Sequence, residues 1–69
     1  MTTPRANRVY ELRVSRAQVE VLEIESGEIA LFWDVRPDQT RRLARALRAD
    51  LAQLDADAFL ERWRRWDGS

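Results

Sequence analysis

Apolar positions set the period of each segment. From Val9 to Val14 (VYELRV) they alternate, with Tyr10, Leu12 and Val14 on one side and Glu11 and Arg13 on the other. That two-residue period predicts a half-buried strand. Ser15 to Gln18 (SRAQ) makes a polar turn. From Val19 to Glu25 (VEVLEIE) the alternation slips: Val19 and Val21 fall on one face, Leu22 and Ile24 on the other. Ser26-Gly27 signals a hairpin, since glycine accepts the positive φ such turns need. Glu28 to Val35 (EIALFWDV) then reads as a third strand. A turn centred on Ser26-Gly27 pairs Ile24 with Ile29, Leu22 with Leu31 and Val21 with Phe32. In that register Ile29, Leu31, Trp33 and Val35 join Leu22 and Ile24, while Ala30 and Phe32 join Val19 and Val21. The hairpin is apolar on both faces.

After Arg36 the period lengthens to that of a helix. Over Pro37–Leu54 (PDQTRRLARALRADLAQL), Leu43, Leu47, Leu51 and Leu54 share one arc with Thr40 and Ala44 beside them. Arg41, Arg45 and Arg48 line the opposite side, flanked by Arg42. Pro37 suits the first helical position, which makes Arg36 a weak N-cap. Asp38 and Gln39 support that first turn, and Asp38 with Arg42 forms an i,i+4 pair. Asp55 is a good N-cap for a second helix over 56–66, whose apolar arc is Phe59, Leu60, Trp63 and Trp66. Gly68 is its stop signal. Residues 1–8 (MTTPRANR) show no periodicity and read as a flexible arm before a single small domain over 9–69. The predicted class is α+β: a three-stranded antiparallel meander followed by two amphipathic helices.

At 69 residues the core alone supplies only ~3–5 kcal/mol. Cysteine and histidine are both absent, which removes disulfides, thiolate sites and the commonest metal ligand and general base. Self-association or a partner is the remaining source of stability. Twelve arginines balance twelve acids, with no lysine. Residues 1–35 carry four arginines and six acids, residues 36–69 eight and six. This mild asymmetry and a pI near 6.2 do not match a nucleic-acid-binding domain. With no apolar run of membrane-spanning length and no signal-peptide core, the chain is expected to be cytoplasmic.

Candidate chemistry is sparse. Arg41, Arg42, Arg45 and Arg48 form a possible phosphate-binding stripe, because guanidinium groups fork onto phosphate oxygens. The simpler reading, a solvated helix face relieved by Asp38 and Asp50, outweighs it. Glu20, Glu23, Glu25 and Glu28 cluster at the hairpin without the spacing of a calcium loop. Ser15, Ser26 and Tyr10 each lack an adjacent base, so no catalytic residues, cofactor, metal or small-molecule substrate are indicated. Trp33 and Trp63 read as core, and Trp66 equally as core or as interface anchor.

The expected function is a non-enzymatic protein-interaction module, working as a homodimer or as the small subunit of a bacterial complex. The alternative is a nucleic-acid-binding or transcription-associated regulator using the arginine helix. The homodimer rests on the sheet. If the helices cover Leu22, Ile24, Leu31 and Trp33, the other face holds Tyr10, Leu12, Val14, Val19, Val21, Ala30 and Phe32. So large an apolar patch calls for a cover. The predicted interface is therefore Tyr10, Leu12, Val14, Val19, Val21, Phe32 and Trp66. Two arrangements avoid it: a slipped register at the first turn, or a second helix folding Phe59, Trp63 and Trp66 over that face.

Overall fold

The computed structural model describes residues 3–66. A short helix α1 (Ala6–Val9) precedes strands β1 (Tyr10–Val14), β2 (Gln18–Glu23) and β3 (Ile29–Asp34), and helices α2 (Pro37–Gln53) and α3 (Ala56–Arg64) follow. The strands form one antiparallel sheet in the order β1-β2-β3. This is the α+β arrangement of a three-stranded meander and two helices, with one helical turn added in front.

The first hairpin has the register its four-residue turn dictates, with Val14 opposite Val19 and Leu12 opposite Val21. The second hairpin does not. Val19 faces Trp33, Glu20 faces Phe32 and Val21 faces Leu31, one residue away from the pairing expected of a tight Ser26-Gly27 turn. Its turn is wider: the Gly27 N–H donates to the Glu23 C=O at 2.8 Å and the Glu23 N–H to the Glu28 C=O at 2.8 Å. Gly27 takes φ +76 there, the left-handed conformation that favours glycine. An irregularity then lets Ile29 meet Leu22, leaving Ala30 as the extra residue of β3. A one-residue slip turns a strand over, so Leu31 and Trp33 join Val19 and Val21 instead of Leu22 and Ile24.

Both helices cover that reunited face. Leu43, Leu47 and Leu51 of α2 and Phe59 and Trp63 of α3 cluster with Tyr10, Val19 and Val21. Leu47, Phe59, Val19 and Val21 are fully buried. Leu47 and Leu51 are thus buried against the sheet as their arc predicts, but on the face opposite to Leu22 and Ile24. Tyr10 packs on Phe59 at 5.7 Å between ring centroids. Trp33 meets Trp63 at 5.9 Å and Trp66 at 5.5 Å, both edge-on, the geometry the aromatic quadrupole favours. The fold-back of the second helix therefore replaces the symmetry mate that the sequence pattern called for on this face.

The segment before β1 also departs from expectation. Residues 3–8 are packed onto the domain and are no loose arm. The Ala6 N–H donates to the Leu54 C=O and the Ala56 N–H to the Pro4 C=O, each at 2.9 Å, clamping the α2–α3 junction. Arg5 Nη1 donates to the carbonyls of Ala52 (3.0 Å) and Gln53 (3.3 Å), which have no partner within the helix. Ala6 is small enough to be fully buried beneath. The α2–α3 boundary itself matches its sequence signals, with the Asp55 carboxylate accepting from the Ala58 N–H at 2.8 Å. Gly68 lies outside the described residues.

Replacing Leu47 by Ala removes a fully buried side chain and is expected to cost about 2–5 kcal/mol in urea unfolding; a loss below about half a kcal/mol would show that the helix is not seated on the sheet. Tyr10 gives a pH signature. Its hydroxyl pKa is raised, chiefly by burial and then by the Glu23 and Asp57 charges. The unfolded chain therefore loses this proton first, so stability is intact below about pH 10 and declines as pH rises toward the folded value. The Tyr10→Phe variant should lose that part of the alkaline decline.

Candidate functional site

Two surfaces remain once the core is assigned: the uncovered side of the sheet, and the flank of α2 that carries its arginines. The first follows from the register. Glu20 and Phe32 are paired, as are Leu22 and Ile29, so all four share the side away from the helices. Ile24, Ile29 and Phe32 are 53%, 55% and 45% exposed. Leu22 is buried, yet stands outside the main core cluster. Arg13 lies opposite Glu20 on this side, and no ion pair joins them within 4 Å.

The predicted interface residues divide. Tyr10, Val19 and Val21 belong to the core under the helices and cannot meet a partner. Leu12 is half-buried against that core. Val14 is 40% exposed at the end of β1. Only Phe32 stands on the open face. Trp66 is half-buried on Trp33 and Trp63, at 5.5 and 5.7 Å, and its carbonyl accepts from Trp33 Nε1 at 3.4 Å. Ile29 stands on the open face as well, paired with the buried Leu22. The slipped alternation of VEVLEIE already set Leu22 apart from Val19 and Val21, but the expected turn put Leu31 and Trp33, not Phe32, beside it.

The arginines of α2 differ from those of α3. On α3, Glu61 accepts from Arg64 at 3.0 Å and Arg65 at 2.6 Å, and these contacts, the Arg64 hydrogen bond foremost, hold its carboxyl below the usual range. Arg41, Arg42, Arg45 and Arg48 are all exposed, and among the described residues none has a carboxylate within ion-pair distance. The relief expected from Asp38 and Asp50 goes elsewhere. Asp38 pairs with Arg36 at 3.1 Å rather than with Arg42. Asp50 turns toward α3, accepting from Trp63 Nε1 at 2.9 Å and meeting Arg62 at 3.4 Å.

Arg41 and Arg48 border an open cleft of about 380 Å³ between α2 and the β1–β2 turn, and Arg16 faces them from the turn. Thr40 sets the turn's position. Its buried hydroxyl donates to the Arg16 carbonyl at 2.9 Å, with the Arg36 carbonyl at 3.2 Å as the other acceptor within reach. The Val35 N–H adds a bond to the Ala17 C=O at 2.8 Å. Arg42 lies on the other flank, beside Trp63 and Trp66, so the stripe is divided. Among the described residues, the glutamates of the hairpin and the other acids form no group of three able to hold a metal ion, and no helix is long and apolar enough to cross a membrane. Ser15 Oγ donates to the Gln18 carbonyl at 3.3 Å, and Ser26 Oγ accepts from the Glu28 N–H at 3.2 Å; both hydroxyls serve turns.

Compared with models of protein families, with curated proteins and with solved structures, the chain matches none. The Asp50 bridge is testable directly. Asp50→Ala leaves the buried Trp63 N–H without its acceptor and should destabilise by about 1–3 kcal/mol, whereas Asp38→Ala, at an exposed pair, should leave the thermal midpoint almost unchanged.

Proposed function

We propose that the chain is a non-enzymatic interaction module that pairs with a second copy of itself across the open face of its sheet. The observation that carries this reading is the pair Ile29 and Phe32, each about half exposed on the side of the sheet away from the helices, with the half-exposed Ile24 in the turn beyond β2. A two-fold arrangement opposes a patch to itself, so its polar groups must complement each other. Arg13 and Glu20 meet that condition: they are neighbours of opposite charge on this face, and each copy offers the other both partners. The exposed glutamates at the hairpin, Glu23, Glu25 and Glu28, edge the apolar patch and disfavour open-ended strand pairing. Such a module is expected to act in the cytoplasm.

The face is small. Three strands of about six residues span roughly 20 Å by 14 Å, less than half of the about 800 Å² per partner of a standard interface. The pairing is therefore expected at micromolar concentration. A nucleic-acid-binding role through Arg41, Arg42, Arg45 and Arg48 is the second reading, supported by their lack of carboxylate partners among the described residues. The overall charge balance of twelve against twelve supports it less, because phosphate-backbone binding is driven by net positive charge.

Sedimentation across a concentration series tests the proposal. The wild-type chain should pass from monomer to dimer between roughly 1 and 100 μM, and Phe32→Asp should stay monomeric with an unchanged circular dichroism spectrum. A wild-type chain that remains monomeric throughout would overturn the reading.

A further inference from the structure

We infer that the cleft between the β1–β2 turn and the Pro37–Arg48 part of α2 binds a small ligand carrying two phosphate groups. Three features of the cleft point to that chemistry. Arg16, Arg41 and Arg48 border it, and no carboxylate does. None of the three has an ion-pair partner among the described residues, whereas Arg36, Arg62, Arg64 and Arg65 all do. Three guanidinium groups facing one concavity repel each other, and an anion between them removes that repulsion while accepting paired N–H bonds.

The number of guanidinium groups selects the ligand. Arg41 and Arg48 are seven residues apart on one helix face, about 10.5 Å along the axis. Two linked phosphates present more oxygens than one, enough for each of the three guanidinium groups to close its fork on an oxygen pair. Arg16 approaches from the other wall, and the Ser15 side of the turn completes the rim. The volume of about 380 Å³ falls in the range of small-molecule sites. Val14, Pro37 and Ala44 give the remaining wall an apolar character, suited to a short organic group beside the phosphates.

The cleft is also held in shape before any ligand arrives. The Thr40 hydroxyl bond to the Arg16 carbonyl ties the turn to α2 at the residue next to Arg41. The Val35 to Ala17 and Ser15 to Gln18 backbone bonds, at 2.8 and 2.9 Å, pin the turn on both sides of Arg16. Only the arginine side chains need to order on binding, which keeps the entropic cost low. A nucleic-acid strand fits less well. No aromatic side chain lines the cleft for a base to stack on, and Arg42 lies on the opposite flank of α2.

Inorganic pyrophosphate is the probe, titrated into the ¹⁵N-labelled full chain at physiological salt. Expected are saturable shifts confined to the amides of Ser15, Arg16, Ala17 and the Pro37–Arg48 part of α2. Arg16→Gln and Arg41→Gln should each weaken binding roughly tenfold or more, while Arg45→Gln, outside the cleft, leaves it unchanged. Both target side chains are exposed, and a preserved amide spectrum confirms that the variants fold. Three outcomes would overturn the inference: no saturable shifts up to millimolar pyrophosphate; orthophosphate binding as tightly as pyrophosphate; or a single-stranded oligonucleotide binding more tightly, with equal dependence on Arg42 and Arg45. The dimer proposal is unaffected by any of them, because Phe32 lies on the other side of the sheet.

Discussion

A three-stranded sheet has two sides, and two short helices can cover one of them. Which side receives the cover depends on how β3 is registered against β2. Val21 opposite Leu31, and Val19 opposite Trp33, collect four apolar side chains of the two strands on one face. Tyr10 and Leu12 reach the same face from β1 through the first hairpin. Once these are together, the leucine arc of α2 and the Phe59–Trp63 edge of α3 have a single continuous surface to occupy. The exposed Ile29 and Phe32 are the remainder of that choice.

The helices are then fixed to each other and to the sheet by a few polar bonds of high consequence. Asp50 receives Trp63 across the helix pair, and Thr40 ties the first turn of α2 to the β1–β2 turn. Arg5 and Ala6 close the α2–α3 junction from the N-terminal side. In so small a domain one such bond is a sizeable share of the net stability. They also arrange the surface. The Thr40 bond that stabilises α2 is the one that brings Arg16 beside Arg41, so the proposed anion cleft is a by-product of the same packing.

The two proposed surfaces place different demands on the molecule. The open sheet face needs only to remain apolar and self-complementary, and its small area allows reversible association. The arginine cleft needs unpaired charge, which the α3 face avoids through Glu61 and its two arginines. Among the described residues Arg41 and Arg48 of α2 have no carboxylate partner while the arginines of α3 are paired, a contrast that helix solubility does not require. The dimer face and the cleft lie on opposite sides of the sheet, so each can be occupied without the other.

Much of this was legible from local signals. The periods of two and 3.6, the proline after Arg36, the aspartate before Ala56 and the four-residue first turn act within a few residues. They determine the strands, both longer helices, the helix boundary and the β1–β2 register. The apolar arc of Leu43, Leu47 and Leu51 likewise identifies the buried side of α2 without any partner in view. The second hairpin was not legible. A Ser-Gly pair is compatible with turns of different width, and one residue of difference inverts β3. The choice is made by the tertiary gain of placing Leu31 and Trp33 over Val21 and Val19, where Phe59 and Trp63 can cover them. The docking of residues 3–8 has no periodic signature, because it uses backbone bonds and the smallness of Ala6. For the same reason Arg16 gave no sign of belonging with Arg41 and Arg48: their proximity exists only after Thr40 draws the turn onto the helix.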